Sequence, residues 1–335
     1  MTRRETVIKA LNHEETHVVP YHVDFTIPQR EKMIAYLGDP DFESKIGGYL
    51  HGVVYNFHTV EIPGRPGYFQ DEFGVVWNRS GADKDIGVIE QFVIPGPDIS
   101  LIPELPLSEE YLRGEFQACI ESAEGRFTFA GLGFSLFERM WSLTGFENAL
   151  LYMAAEPDFV SCLLDKVCEL NLRMIDLALE YPFDGIEFGD DWGQQRGLIM
   201  GPHCWRSFIK PRLARMYERV RSQGRFVMQH SCGDILQIYP DLIEIGLHCH
   251  QTFQPEIYDI EYVKKEYGSS LSFWGGISTQ TLLPWAAPEE VESETRRIMS
   301  IMSKSGGFIA APTHSVPYDV PPENVMAMLH VFQNQ

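Results

Sequence analysis

From about residue 127 to the end of the chain, short apolar runs alternate with stretches long enough to be helices. RFTFAGLG, DGIEFGDD (184–191), RFVMQHSCG (225–233), LHCHQTFQPE (247–256), SLSFWGGIS (270–278) and GGFIAAPTH (306–314) read as strands. Helical patterns fall between them, around 146–156, 157–180, 203–223, 259–266, and over PEEVESETRRIMSIMSKS and PPENVMAMLHVFQ. Such alternation builds βαβ units and hence a parallel sheet covered by helices. A (β/α)8 barrel is preferred to a doubly wound sheet. The reason is that Asp190, His230, Glu256 and His314 all fall at the carboxyl ends of predicted strands, where α/β folds gather their chemistry.

The first part of the chain is less regular. A helix is expected over Arg3–Leu11 with Thr2 as its cap, then a strand from about Val18 to Phe25. Residues 26–126 carry Pro63, Gly64, Pro66 and Gly67 and then the strand-like FQDEFGVVWN and GVIEQFVI. They read as an inserted elaboration of helices and a β-hairpin packed on the barrel, with residues 1–335 as a single domain.

The 335 residues suit one such barrel, and 44% hydrophobic residues suffice for a sizeable core. A net charge of −20 repels phosphate backbones and anionic lipid, so neither nucleic acid nor a membrane is an expected partner. MTRRETVIKALNHEE has no apolar core of a secretory signal, and no uninterrupted apolar run reaches membrane-spanning length. Cysteines 119, 162, 168, 204, 232 and 249 are scattered. They read as free thiols or a metal ligand in a cytoplasmic protein.

QHSCGD is the strongest local signal. His230 and Cys232 are two residues apart, so in a strand both side chains point to one side. Zinc favours such mixed nitrogen and sulfur donors, and a catalytic site takes three protein ligands with one position open. His314 in APTHSVP supplies a third donor if the sixth and eighth strands of a barrel face one centre. Without that third donor, a buried cysteine beside a helix-capping histidine is the simpler reading of the pair. Glu256 is a candidate fourth ligand, or a group bonded to a ligating histidine.

EFGDDWG offers carboxylates at another strand end. Asp190 and Asp191 suit substrate binding or acid catalysis, and equally suit helix capping. Glu187 lies within the strand and needs a partner if it points inward. The paired glycines of WGGIS permit close backbone approach. His248 with His250, and His22 with Asp24, read more simply as structural pairs.

Along nearly its whole length the chain resembles the uroporphyrinogen decarboxylase superfamily. The resemblance is carried by MTRRETVIKALNHEETHVVPYHVDF, DEFGVVW, DGIEFGDDWG, HSCGD, FQPE, WGGIS and GGFIAAPTHSVPYDVPPENVMAM. It implies a (β/α)8 barrel with its site at the carboxyl mouth. One branch of the superfamily decarboxylates porphyrinogens without a cofactor, and the other uses zinc to move methyl groups to or from a corrinoid. His230 and Cys232 match the start of the zinc motif, and His314 stands where a cysteine is usual. The arginine-rich segment of the decarboxylases has no counterpart in PYHVDFTIPQREK. The resemblance therefore implies a zinc methyltransferase of the O-demethylase kind, taking methyl from a methoxylated aromatic donor. The chain has no DxHxxG segment to hold a corrinoid, so a separate corrinoid protein is the expected partner. A metal-free decarboxylase, a methylcobalamin:thiol methyltransferase and a non-catalytic protein on the same fold are the alternatives.

Overall fold

Seven parallel strands form the central sheet in a computed structural model that describes residues 1–81 and 84–335. They are Leu50–Tyr55, Phe127–Leu132, Gly185–Gly189, Phe226–His230, Cys249–Phe253, Ser272–Ile277 and Phe308–Pro312, hydrogen-bonded in chain order. Residues 20–25 close the ring. Tyr21 and Phe25 bridge in parallel to Ala310 and Val316 on one side, and the Tyr49 amide donates to the Tyr21 carbonyl at 2.9 Å on the other. The result is an eight-stave α/β barrel. The expected strand over Val18–Phe25 is thus a stave held by isolated bridges. Pro20, which has no amide to donate, interrupts the ladder and serves only as acceptor for the Ala310 amide.

Period-two alternation sorts each strand between two cores. Phe127, Phe129, Met228, Cys249, Trp274 and Ile309 point into the barrel, where Val7 and Leu11 of the first helix join them. That helix, Arg3–Leu11, carries the expected Thr2 cap in a full capping box with Glu5. Ile186, Phe188 and Val227 point outward and pack under the helices. Glu187 and His230 belong to the inward set. Each fully buried aromatic side chain in these layers contributes roughly 1.5–3 kcal/mol.

Two readings of residues 26–126 change. Leu50–Tyr55 is a barrel strand, paired in parallel with Phe127–Leu132. The expected hairpin is a four-stranded antiparallel sheet: Thr59–Glu61, Tyr68–Asp71, Val76–Asn78 and Val88–Gln91. The helix expected over 203–223 is broken by a π turn at Trp205–Ile209 before Lys210–Arg221. The six cysteines are free. No helix of the described residues is long and apolar enough to cross a membrane.

Candidate functional site

His230 is the last residue of its strand, and His314 follows Phe308–Pro312 by two residues. Counted from residues 20–25, these are the fifth and eighth staves, not the sixth and eighth. Both still open on one mouth. Donor atoms of His230, Cys232 and His314 all lie within 4.8 Å of one another. Cys232 Sγ is 3.6 Å from His230 Nε2. The His230 Nδ1 contacts Gln251 Oε1, which orients the ring with Nε2 turned toward the thiol. His230 and Gln251 are register partners on neighbouring strands.

The Cys232 loop is fixed by backbone contact. Gly233 has φ +79°, and a Cβ there would sit 2.2 Å from the Gly193 carbonyl carbon. Only glycine permits both the left-handed conformation and that approach. The Gly193 amide in turn donates to the Cys232 carbonyl at 3.2 Å.

Asp190 and Asp191 diverge sharply. Asp190 is fully buried and accepts from the amides of Phe137 and Glu138, at 3.0 and 2.7 Å, and from Trp192 Nε1 at 2.6 Å. It caps the helix Phe137–Thr144 from a distant strand. Asp191 lines the cavity. Its Oδ1 lies 3.3 Å from His230 Nε2 and accepts the Cys232 amide at 2.8 Å. Burial alone would raise Asp191, but His230 and the Cys232 amide pull it below the usual carboxylate range.

A cavity of about 350 Å³ opens beside these groups, within the ~300–1,000 Å³ range of small-molecule sites. Phe129, Phe134 and Trp274 give it aromatic walls, while Asp24, Glu138, Glu187 and Asp191 give it four carboxyl groups. No lysine or arginine is among its described lining residues. Burial pushes Glu187 up to about 7. Glu138 is raised well above the carboxylate range by burial and by Asp191 and Asp190. His22 bonds Asp24 at 2.7 Å on the opposite side, so the pair read as structural also faces the cavity.

Glu256 is not brought to this cluster. Its carboxylate accepts the Ser278 hydroxyl and lines a separate cleft with Trp285 and Arg297. The WGGIS glycines serve packing, since a Cβ on Gly275 would sit 2.8 Å from the Phe253 amide. Glu138 and Gln251 are cavity residues that the sequence reading passes over. For Gln251 a signal existed: in CHQTF it alternates to the same face as Cys249, beside His230.

Residues 108–335 match the family model described as uroporphyrinogen decarboxylase, and the chain belongs to the uroporphyrinogen decarboxylase family. Among curated proteins it is similar to the uroporphyrinogen decarboxylase of Geobacillus kaustophilus (strain HTA426), 23% identical over 215 residues, 61% of this chain and 58% of that one. It is also similar to that of Geobacter sulfurreducens, 21% identical over 250 residues, 72% of this chain and 68% of that one. The match thus spans under three-fifths of the Geobacillus relative. Among solved structures, a methyltransferase from Methanosarcina mazei superposes with TM-score 0.70 over 99% of this chain and 98% of that one, at 16% identity. The two share the fold.

Proposed function

We propose that this chain is a single-domain, zinc-dependent methyltransferase that moves a methyl group from a methoxylated aromatic substrate to Co(I) of a separate corrinoid protein. The observation that carries this reading is the convergence of His230, Cys232 and His314 donor atoms within 4.8 Å of one another, beside the cavity that the two histidines line. The donor set suits zinc. Tetrahedral zinc, with sulfur at about 2.3 Å and nitrogen at about 2.0–2.1 Å, sets those two donors roughly 3.5 Å apart, and Sγ and Nε2 stand 3.6 Å apart. Zinc bound there supplies a Lewis acid for the ether oxygen, from which phenolate otherwise leaves poorly.

The chain's own residues do the rest. Gln251 orients the His230 ring. Asp191 accepts the Cys232 amide and so fixes the loop that carries the thiol. Asp190 caps the helix that presents Glu138. Burial raises Glu138 and Glu187, the latter to about 7, which suits both to act as acids beside the departing oxygen. The aromatic walls stack an arene and exclude water from it.

The decarboxylase reading has the curated relatives' names behind it, but a cavity with four carboxyl groups and no lysine or arginine among its described lining residues is poorly made for a polycarboxylate. The test is an assay with a Co(I) corrinoid protein and a panel of methoxylated arenes, with and without chelator. Methyl-corrinoid absorbance that vanishes on chelation and returns with zinc is expected. Undiminished activity after complete metal removal would overturn the reading. So would carbon dioxide release from a porphyrinogen by the metal-free protein. Methyl transfer from methylcobalamin to a thiol would redirect it.

A further inference from the structure

We propose that His22, oriented by Asp24, is a specificity-determining residue that binds a hydroxyl group on the ring of the ligand, so that the site prefers a hydroxylated arene to the same arene without the hydroxyl. The assignment rests on the methyl-transfer reading only for the aromatic nature of the ligand.

His22 and Asp24 alternate onto one side of the first stave, and both line the cavity of about 350 Å³. His22 stands on the first of the eight staves and His230 on the fifth, half a turn round the ring. Neither His22 nor Asp24 is among the residues whose donor atoms converge with Cys232. Phe129 and Trp274 lie on the same walls and supply the surface against which an arene packs.

The His22 ring is held from three directions. Its Nε2 lies 2.7 Å from Asp24 Oδ2. It meets the Trp274 ring edge to face, with centroids 5.4 Å apart and planes at 77°. Its backbone is tied to the last strand, where the His22 amide donates to the Ala310 carbonyl at 3.0 Å. Trp274 is itself only 3% exposed, which leaves this wall little room to shift. A group fixed in this way binds a ligand with little further ordering.

A carboxylate offers only lone pairs, so the Nε2 that faces Asp24 carries a proton. That leaves Nδ1 to act on a ligand. It makes no hydrogen bond with any described residue, and unlike His13 Nδ1 it is not sealed in the interior. In the neutral ring Nδ1 presents a lone pair, and in the charged ring an N–H. A hydroxyl satisfies either form, because it both donates and accepts. A methyl group or a ring hydrogen satisfies neither, and an ether oxygen satisfies only the charged form. The preference for a hydroxyl therefore holds in both protonation states of the ring. Asn56, Ser315, Glu138 and Glu187 are other cavity groups able to bond a hydroxyl, and substitution at His22 separates its contribution from theirs.

The test is equilibrium binding, read by calorimetry, of 3-methoxyphenol and of 3-methoxytoluene, in which a methyl group replaces the hydroxyl. The protein as purified is expected to bind the phenol about tenfold more tightly. Chelator-treated protein is expected to keep that ratio, which separates His22 from a metal that takes the phenol oxygen as ligand. His22→Phe is expected to bring the ratio to about twofold or less by weakening the phenol alone. Asp24→Ala, a change at an exposed side chain, is expected to narrow it to about threefold, and decides the matter if His22→Phe does not fold. Equal binding of the two ligands, failure of both to bind, or a preference that vanishes with the metal overturns the proposal. So do variants that keep the full preference or weaken both ligands alike, the latter being the mark of a merely structural role. A preference lost at His22 without methyl-corrinoid formation from either ligand supports the assignment and removes the methyl-transfer reading. Equal binding with methyl-corrinoid formation from both does the reverse.

Discussion

His250 and Gln251 are adjacent in one strand and face opposite sides of the barrel wall, and the two sides treat polar groups differently. Outside, the buried polar side chains near them are mostly paired, Thr252 Oγ1 being an exception. His250 bonds Tyr239 at 2.9 Å and the Ser231 carbonyl at 3.2 Å, and Gln229 accepts from Tyr217 at 2.5 Å. Asp190 takes three donors. Inside, donor atoms of His230, Cys232 and His314 converge within 4.8 Å of one another, and Glu138 and Glu187 face a cavity of about 350 Å³. A buried polar group whose partners are complete supports the fold. One whose capacity is left open toward a cavity is available to a ligand.

The sharpest way to break this contrast is to cross it with substitutions. Cys232→Ala, on the inner side, should take bound zinc from about one per chain to below a tenth and cut methyl transfer by roughly a thousandfold. The unfolding free energy of the metal-free protein should move by less than about 1 kcal/mol. Metal analysis beside urea unfolding checks both. Asp190→Ala, on the outer side, should do the reverse. It strips a helix cap and leaves three donors without their acceptor, costing about 3 kcal/mol, while zinc remains bound. A variant that melts like the parent but is inactive would return Asp190 to a catalytic role.

The same contrast gives opposite pH slopes, measured by urea unfolding of the metal-free protein. Burial lowers His250 to about 3, against about 6.5 in an unfolded chain. The unfolded state alone takes that proton between those values, so the contribution is present above 6.5 and is lost as pH falls toward 3. Burial raises Glu187 to about 7, against about 4.3 when unfolded. Its proton stays only on the folded state in that window, so stability is lost as pH rises from 4.3 to 7. Each slope is at most about 1.4 kcal/mol per pH unit. His250→Gln should flatten the acid-side loss, and Glu187→Gln should relieve the loss toward neutral pH.

The smallest effect is expected at Glu256→Gln. It should leave zinc stoichiometry unchanged and methyl transfer within about twofold, because this carboxylate is bonded to Ser278 beside another cleft. Metal analysis and initial rates of the variant decide that.

These contrasts also explain what the sequence discloses. Strand positions were readable after residue 127 because apolar runs there are bounded by turn residues, and the i, i+2 spacing alone puts His230 and Cys232 on one side. Leu50–Tyr55 was hidden by Gly52 at its centre. That glycine is required, since a Cβ there would lie 2.3 Å from the Phe129 ring, yet in sequence it reads as a loop residue. Glu138 was hidden for another reason. An acid in a helix's first turn is explained locally by the helix dipole, and only the pairing of Phe127–Leu132 with Gly185–Gly189 brings it to the Asp191 strand. Glu256 was misread because position at a strand's end is not direction, and after Pro255 its carboxylate reaches Ser278 rather than the mouth.

The measurement that bears most directly on the centre is X-ray absorption at the zinc edge of the purified protein, with metal counted in the same sample. One zinc per chain is expected, with one sulfur neighbour at about 2.3 Å and two imidazole nitrogens at about 2.0–2.1 Å. The sulfur should be lost in Cys232→Ala. A zinc shell with no sulfur, or a fully active protein that binds no metal, would contradict it.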